Sequence, residues 1–400
     1  MSKLNKLIQE LCPNGVEYRK LGEVCLKITS GGTPSTQNSS YYGGDIPWLR
    51  TQEVDFCDII DTSVKITEKG LNNSSAKWIP ANCVIVAMYG ATVGKTGINK
   101  IPLTTNQACC NLQINSEMAL YKYVYYCLAN KYEYIKSLGQ GSQTNINSQI
   151  VKNLSIPLPP LPIQEEIVKI LDRFAEYTAE LQAELQARKE QYEYYRNLLL
   201  TNNFAYGSAD DKQKITGNAR GEWKWMKMSE IAEIKRGVRV VKSDLSEDCC
   251  LYPVFQNCLT PLGYKEASNR KGGIPFIIVG GAAGSIGFSN SDFWAADDCL
   301  TIEGNSRVSN RYIHHYLNTR QQYLLSQVRK SSVPRLSRVT IENLMVPVPL
   351  LDEQLRIVAI LDKFDTLVSD LTQGLPAEIA ASQERYEYYR DKLLRFDVKG

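Results

Sequence analysis

The sequence predicts a mixed α/β chain built twice. Two copies of a globular domain are joined by two long antiparallel coiled-coil helices, with a pseudo-twofold internal repeat. Three observations predict this. At an offset of 190, Pro157, Pro159, Gln164, Ile167, Val168, Ile170, Leu171, Asp172 and Phe174 return as Pro347, Pro349, Gln354, Ile357, Val358, Ile360, Leu361, Asp362 and Phe364, and self-similarity at half the chain length marks a duplicated architecture. The run YEYYR at 192–196 recurs at 386–390. Between the repeated segments, short β-branched runs alternate with turns and helical stretches, the pattern of mixed α/β domains.

Residues 3–11 read as a short helix stopped by Pro13, Asn14 and Gly15. Residues 30–35 (SGGTPS) are a loop, 44–50 (GDIPWLR) enter a strand, and 82–89 (NCVIVAMY) form a buried strand. Residues 120–135 have helical spacing, and 140–149 (QGSQTNINSQ) are loop-like. Four prolines between 157 and 162 hold an extended entry, because proline fixes φ and denies helix to the residue before it.

A rod follows. Alternating steps of 3 and 4 pick out Ile167, Leu171, Phe174, Thr178, Leu181, Leu185, Arg188, Tyr192, Tyr195 and Leu199, the period of a coiled-coil seam. Roughly 38 residues make a rod of about 57 Å. Residues 201–220 are a polar linker. The second domain echoes the first: 18–24 (YRKLGEV) matches 225–231 (WMKMSEI), and Tyr123, Leu128 and Tyr134 align with Tyr312, Leu317 and Tyr323. The second seam runs through Ile357, Leu361, Phe364, Val368, Leu371 and Leu375, and Gly374-Leu375-Pro376 should kink or break it before Tyr386, Tyr389, Leu393 and Phe396 resume. The segments are then 1–155, 156–205, 206–345 and 346–400.

Each rod has one apolar seam and stays dry by packing on the other. An antiparallel pair carries its two domains at opposite ends, which fits a two-part duplex site with halves about one turn, ~34–36 Å, apart. Phe174 to Tyr192 spans 18 positions and Phe364 to Tyr386 spans 22, and the first rod contains TAEL followed by QAEL. A further four-residue unit would add ~6 Å and lengthen the DNA spacer by about one base pair.

Composition narrows the class. The net charge of +3 confines nucleic-acid binding to local basic patches. Eleven cysteines without CxxC spacing, and only His314 and His315 as histidines, argue for reduced thiols in the cytoplasm and against zinc. No segment has the length and apolarity of a membrane span or a signal peptide.

The proline entries with Gln164 and Gln354, the IVxILDxF cores, the TAEL-like spacer, both YEYYR blocks, and SGGTP and IPWLRTQEV in the first domain are similar to one family. The chain resembles the specificity (S) subunit of type I restriction-modification enzymes over essentially its whole length. The resemblance implies that 1–155 and 206–345 are target recognition domains reading the halves of an asymmetric bipartite site on double-stranded DNA. It implies that 156–205 and 346–400 are helical spacers docking two modification (M) subunits, with restriction (R) subunits joining. It places S-adenosylmethionine, ATP and Mg²⁺ in those partners and none in this chain.

Base edges in the major groove are read by bidentate Arg–guanine and Asn/Gln–adenine pairs, so readers are sought on loops. Candidates in the first domain are Arg50, Thr51, Gln52, Lys95, Thr96, Gln143 and Asn145; in the second they are Lys235, Arg236, Arg239, Arg270, Lys271, Arg329, Lys330 and Arg335. Most such contacts go to phosphate rather than to bases. Tyr194, Arg196, Tyr388 and Arg390 are candidate partner-docking residues. The five tryptophans are expected in the core or in domain packing rather than as base-stacking platforms, and Asp297-Asp298 in a solvated loop. Residues 90–96 (GATVGKT) approach a phosphate-binding loop but are one residue short of it, so a tight strand connection is expected. No catalytic constellation is evident. The rivals are a methyltransferase or NTPase with a degenerate nucleotide loop at 90–96, and a coiled-coil scaffold that does not bind DNA.

Overall fold

A computed structural model describes residues 3–139, 145–201, 223–330, 332–370 and 373–399. Gln143, Leu371 and the linker from 202 onward lie outside the described residues. The chain forms two compact units, 1–180 with 379–400 and 181–378. These cut across the four segments read from the sequence: each unit takes one globular domain and part of both rods.

In the first unit, Lys3–Leu11 is helical as expected. Strand Tyr18–Lys20 pairs antiparallel with Ser155–Pro157, which runs into the proline entry at Pro157. The main sheet has the order Cys25–Ser30, Cys109–Ile114, Val84–Ala87, Thr96–Asn99 and Cys57–Ile59, the last pair parallel. Val84–Ala87 is buried on both faces, which explains its unbroken apolar run. A smaller sheet orders Lys65–Ile66, Tyr42–Leu49, Leu103–Thr105 and Trp78–Ile79. The helical stretch at 120–135 is broken at Lys131 into Tyr121–Asn130 and Tyr132–Ser137. The stretch read as a loop to 149 gives way at Ser148 to a helix, Ser148–Asn153, capped by the Asn147 side chain on the Ile150 amide.

The second unit repeats this plan. Lys224–Lys227 pairs with Met345–Val348. Its main sheet orders Ala232–Arg236, Cys299–Gly304, Ile274–Ile278 and Ile286–Ser289, the counterparts of the first four strands above. Helices Asn310–Thr319, Gln321–Ser326 and Arg338–Glu342 match Tyr121–Asn130, Tyr132–Ser137 and Ser148–Asn153. Tyr123 and Tyr312 are wholly buried, and their hydroxyls donate to the carbonyls of Pro157 and Pro347.

Helix Leu161–Thr201 is unbroken; the second rod is split into Leu351–Ser369 and Leu375–Leu393, so helix is lost ahead of Gly374, while Leu375 and Pro376 open the second piece, where proline is tolerated. Every seam position expected in the first rod is buried or half-buried, because the 3.5-residue period keeps one stripe against a partner helix. In the first unit Phe174 stacks on Tyr389, and the Thr178 and Ser382 hydroxyls share a hydrogen bond at 2.9 Å. As one chain advances the other recedes, so the rods are antiparallel. In the second unit Phe364 lies against Tyr195 and Tyr192.

The two repeated glutamines tie rod to domain. Gln164 is fully buried; its Nε2 donates to the carbonyls of Met118 and Pro159, and its Oε1 accepts from the Leu120 amide. Gln354 does the same with Arg307, Pro349 and Ser309. A buried amide with three of its bonding positions used is held in one orientation. The repeated aspartates face the same helices. Asp172 accepts from Lys122 and Tyr126, both at 2.6 Å; Asp362 accepts from Arg311 and His315, both at 2.7 Å, and Arg311 also reaches Asp365.

Candidate nucleic-acid interface

Loops at strand ends carry the basic and amide groups able to meet a duplex, and backbone pairing decides which loops come together. In the first unit three do. The Thr92 hydroxyl donates to the Thr51 carbonyl, Lys95 pairs with Asp55 at 2.6 Å, and Asn145 Oδ1 accepts from the Gly90 amide at 3.3 Å. Thr51, Gln52, Lys95 and Asn145 therefore share one loop cluster, with Tyr89 exposed at its edge. Arg50 is tied locally, to the Ser63 hydroxyl at 3.1 Å and to Glu53 at 3.6 Å. Thr96 corrects the sequence reading: it lies in strand Thr96–Asn99 with no exposed surface, so it offers nothing to a duplex. The loop 90–96 joins two antiparallel strands, the tight connection expected, whereas a phosphate-binding loop opens a helix.

In the second unit Arg236 and Arg335, 99 positions apart in sequence, meet at Asp297 and Asp298. Arg236 Nε donates to the Asp297 carbonyl at 2.8 Å, Gln256 reaches the Asp297 carboxylate at 3.4 Å, and Arg335 Nη1 pairs with Asp298 at 3.0 Å. These aspartates are half-buried anchors rather than the solvated loop expected, because strand pairing brings Arg236 and Arg335, distant in sequence, onto them. Arg270 is consumed by the structure: it donates to Thr301 Oγ1 and to the carbonyls of Asn269 and Arg236. Lys235 pairs with Glu233, and Lys271, largely exposed, with Asp292. Arg239, Arg329 and Lys330 are exposed, and their side chains have no partner among the described residues.

The tryptophans divide. Trp48 is buried with its indole N–H on the Gly32 carbonyl, Trp223 packs partly buried on the second core, and Trp294 is half-buried under Lys265. Trp78 and Trp225 are not core residues: each lies in a short strand with about half its surface exposed. On the rods, Tyr192 and Tyr386 point inward, each beneath an arginine of its own block, Arg196 at 5.3 Å and Arg390 at 5.1 Å from the ring centroids. Arg390 also donates to Asn130. Tyr194 and Tyr388 are exposed, at 44% and 61%. The two blocks thus present the same outward tyrosine beside the same ring-stacked arginine.

Comparison with known proteins agrees with this architecture. Residues 13–212 and 220–381 match the family described as the type I restriction modification DNA specificity domain. The chain belongs to that family. It is 32% identical over 301 residues to the type I restriction enzyme EcoR124I/EcoR124II specificity subunit of Escherichia coli, covering 69% of this chain and 71% of that protein. It is 27% identical to the putative type I restriction enzyme specificity subunit S.HindORF215P of Haemophilus influenzae, covering 95% and 96%. In fold it is similar to the type I restriction-modification S subunit from M. genitalium, with a TM-score of 0.63 at 17% identity over 95% of this chain and 96% of that one. No helix among the described residues is long and apolar enough to cross a membrane.

Proposed function

We propose that this chain is the DNA-reading component of a cytoplasmic type I restriction-modification complex, binding an asymmetric bipartite site on double-stranded DNA with one half read by each domain. The observation that carries the reading is the contrast within the repeat. The scaffold is kept to the residue, in Gln164 and Gln354, Asp172 and Asp362, Phe174 and Phe364, while the loop clusters carry unlike groups, amides and one lysine in the first domain and a set of arginines in the second. A repeated frame with divergent tips suits two different half-sequences held in one register. In this reading Gln52, Lys95 and Asn145 on one side, and Arg236, Arg239, Arg329, Lys330 and Arg335 on the other, face the duplex.

The paired rods serve as the docking frame for two modification subunits, through the outward tyrosines Tyr194 and Tyr388 with Arg196 and Arg390, and restriction subunits join that assembly. The chain itself contributes recognition and no chemistry; S-adenosylmethionine, ATP and Mg²⁺ act in the partner subunits. Methylated-site sequencing of cells expressing the chain with its methylating partners tests the proposal. A single two-part methylated sequence is expected. Methylation without a two-part site, or binding of S-adenosylmethionine by the isolated chain, would sink it.

A further inference from the structure

The repeat aligns one loop position in the two domains by backbone bonds alone. The Ile146 amide donates to the Met88 carbonyl, and the Leu336 amide to the Val279 carbonyl. The Met88 amide donates to Ala108, and the Val279 amide to Asp298. Asn145 and Arg335, each one residue before the first of these bonds, therefore occupy the same place. So do Ala108 and Asp298, and the residues after Met88 and Val279, Tyr89 and Gly280.

What differs is how that place is anchored. In the first domain Asn145 rests on the Gly90 amide. In the second, the carboxylate of Asp298 is seated directly on Gly280: a Cβ there would come within 2.6 Å of the carboxylate. From that seat Asp298 holds Nη1 of Arg335. The backbone is fixed as well, since Arg329 and Arg335 exchange both amide–carbonyl bonds and Gly281 donates to Pro334. Nε and Nη2 of Arg335 have no partner among the described residues, and the side chain is 55% exposed. A guanidinium steadied at one end and open along the opposite edge has already lost the freedom that base reading would cost, and its open edge matches the N7 and O6 acceptors of guanine. Arg239, Arg329 and Lys330 are exposed without such a brace, which suits phosphate contact.

We infer that Arg335, positioned by Asp298 on Gly280, reads a guanine in the half-site of the second domain. This rests on the function proposed above and goes further by naming the base and its reader. The full chain is expressed with its methylating partners, and the methylated sites of wild type and variants are sequenced. Arg335→Ala should lower the preference for guanine at one position of one half-site by roughly ten- to hundred-fold, leaving the other half intact. Arg335→Lys should not restore it, because an ammonium lacks the planar fork. Asp298→Asn and Gly280→Ala, which disturb only the seat, should relax the same position more mildly. Lys330→Ala should lower methylation at all sites alike. An Arg335→Ala variant that keeps every base preference, with or without a uniform loss, overturns the inference and leaves the function standing. A wild type that marks no two-part site overturns both.

Discussion

Phe174 stacks on Tyr389 with ring centroids 5.4 Å apart, a contact between the first rod and the last turns of the second. Its counterpart, Phe364 against Tyr195 at 5.7 Å, uses the same two repeat positions with the rods exchanged. Each phenylalanine stands two residues after an ILD core, and each tyrosine is the last tyrosine of a YEYYR block. Swapping partners in this way is what an antiparallel pairing of duplicated helices requires, and neither contact would form with parallel rods.

The pair should be energetically coupled. Aromatic pairs contribute about 0.5–1.5 kcal/mol beyond the area they cover, and this one joins a half-buried Phe174 to a Tyr389 that is 40% exposed. In a double-mutant cycle of Phe174→Leu and Tyr389→Leu, followed by urea denaturation, we expect a coupling of about 1 kcal/mol. Additive single effects would mean that the rings touch without holding the rods.

The glutamine ties should be costlier to lose. Gln354→Leu strands the Ser309 amide and the Arg307 and Pro349 carbonyls that Gln354 satisfies, and each buried unpaired group costs about 1–3 kcal/mol. The expected loss is about 3 kcal/mol, less where water can enter. The same change at Gln164 should act on the first unit. Hydrogen exchange read by mass spectrometry separates the two: Gln354→Leu should loosen 310–319 and leave 121–130 protected. Equal loosening of both would contradict two independent ties.

Much of this was legible in the sequence because it is periodic or repeated. The seam is a stripe of burial, and a stripe has a period. Gln164 and Gln354 announced themselves by recurring, although their bonds to Met118 and Arg307 could not be read from spacing. The interface was harder. Thr96 looked like a loop residue beside Lys95, but strand pairing begins at that residue and turns it into the core. Asp298 looked solvated until the strand ends brought it under Gly280 and against Arg335, residues far apart in the chain. Aligning Cys109 with Cys299 would have set Asp298 opposite Ala108 and marked it as a point of divergence.

The histidines make the second unit acid-sensitive. Burial lowers His314 to about 3, and His315 is also lowered, by burial first, although its bond to Asp362 works the other way. Groups facing His315 are Tyr192 from the first rod, Arg311 and His314 from its own helix, and Asp362 and Asp365 from the second rod. Burial alone would raise Asp362, but the bonds from His315 and Arg311 outweigh it and hold its carboxyl below the usual range. Below the ordinary histidine value of 6.5 the unfolded chain binds protons that the folded one refuses, so stability falls as pH falls. One pH unit below that value each histidine costs at most ~1.4 kcal/mol. Asp362 adds loss in the same direction at lower pH. In the first unit Tyr126 stands where His315 does and does not titrate in this range. Hydrogen exchange corrected for intrinsic rates should show 310–319 and 351–369 losing protection between pH 7 and 5.5 while 121–130 keeps it, and His315→Gln should blunt the change. A uniform response would point to general charge effects instead.

The last prediction concerns the rod itself. The antiparallel contacts of the first unit end at Thr178 and Ser382, and the next seam residue, Leu181, begins the second unit's share of the same helix. The helix carries TAEL at 178–181 up to that point and QAEL at 182–185 beyond it, with Thr178, Leu181 and Leu185 on the seam and Gln182 exposed. Inserting a further TAEL after Leu181 leaves untouched the residues that make the Phe174–Tyr389 and Thr178–Ser382 contacts and those of Tyr192 and Tyr195 with Phe364. The insertion adds about one turn of helix, ~6 Å, between these contacts, and the interruption between Leu351–Ser369 and Leu375–Leu393 is where the second rod would have to yield. On the function proposed, and against a duplex rise of ~3.4 Å per base pair, the two halves of the methylated site should move apart by at least one base pair, with both half-sequences unchanged. Removing residues 178–181 should act in the opposite sense. If sequencing of methylated sites shows the original spacing in both variants, the length of the rod does not set the spacing, and the continuity of Leu161–Thr201 must serve docking alone.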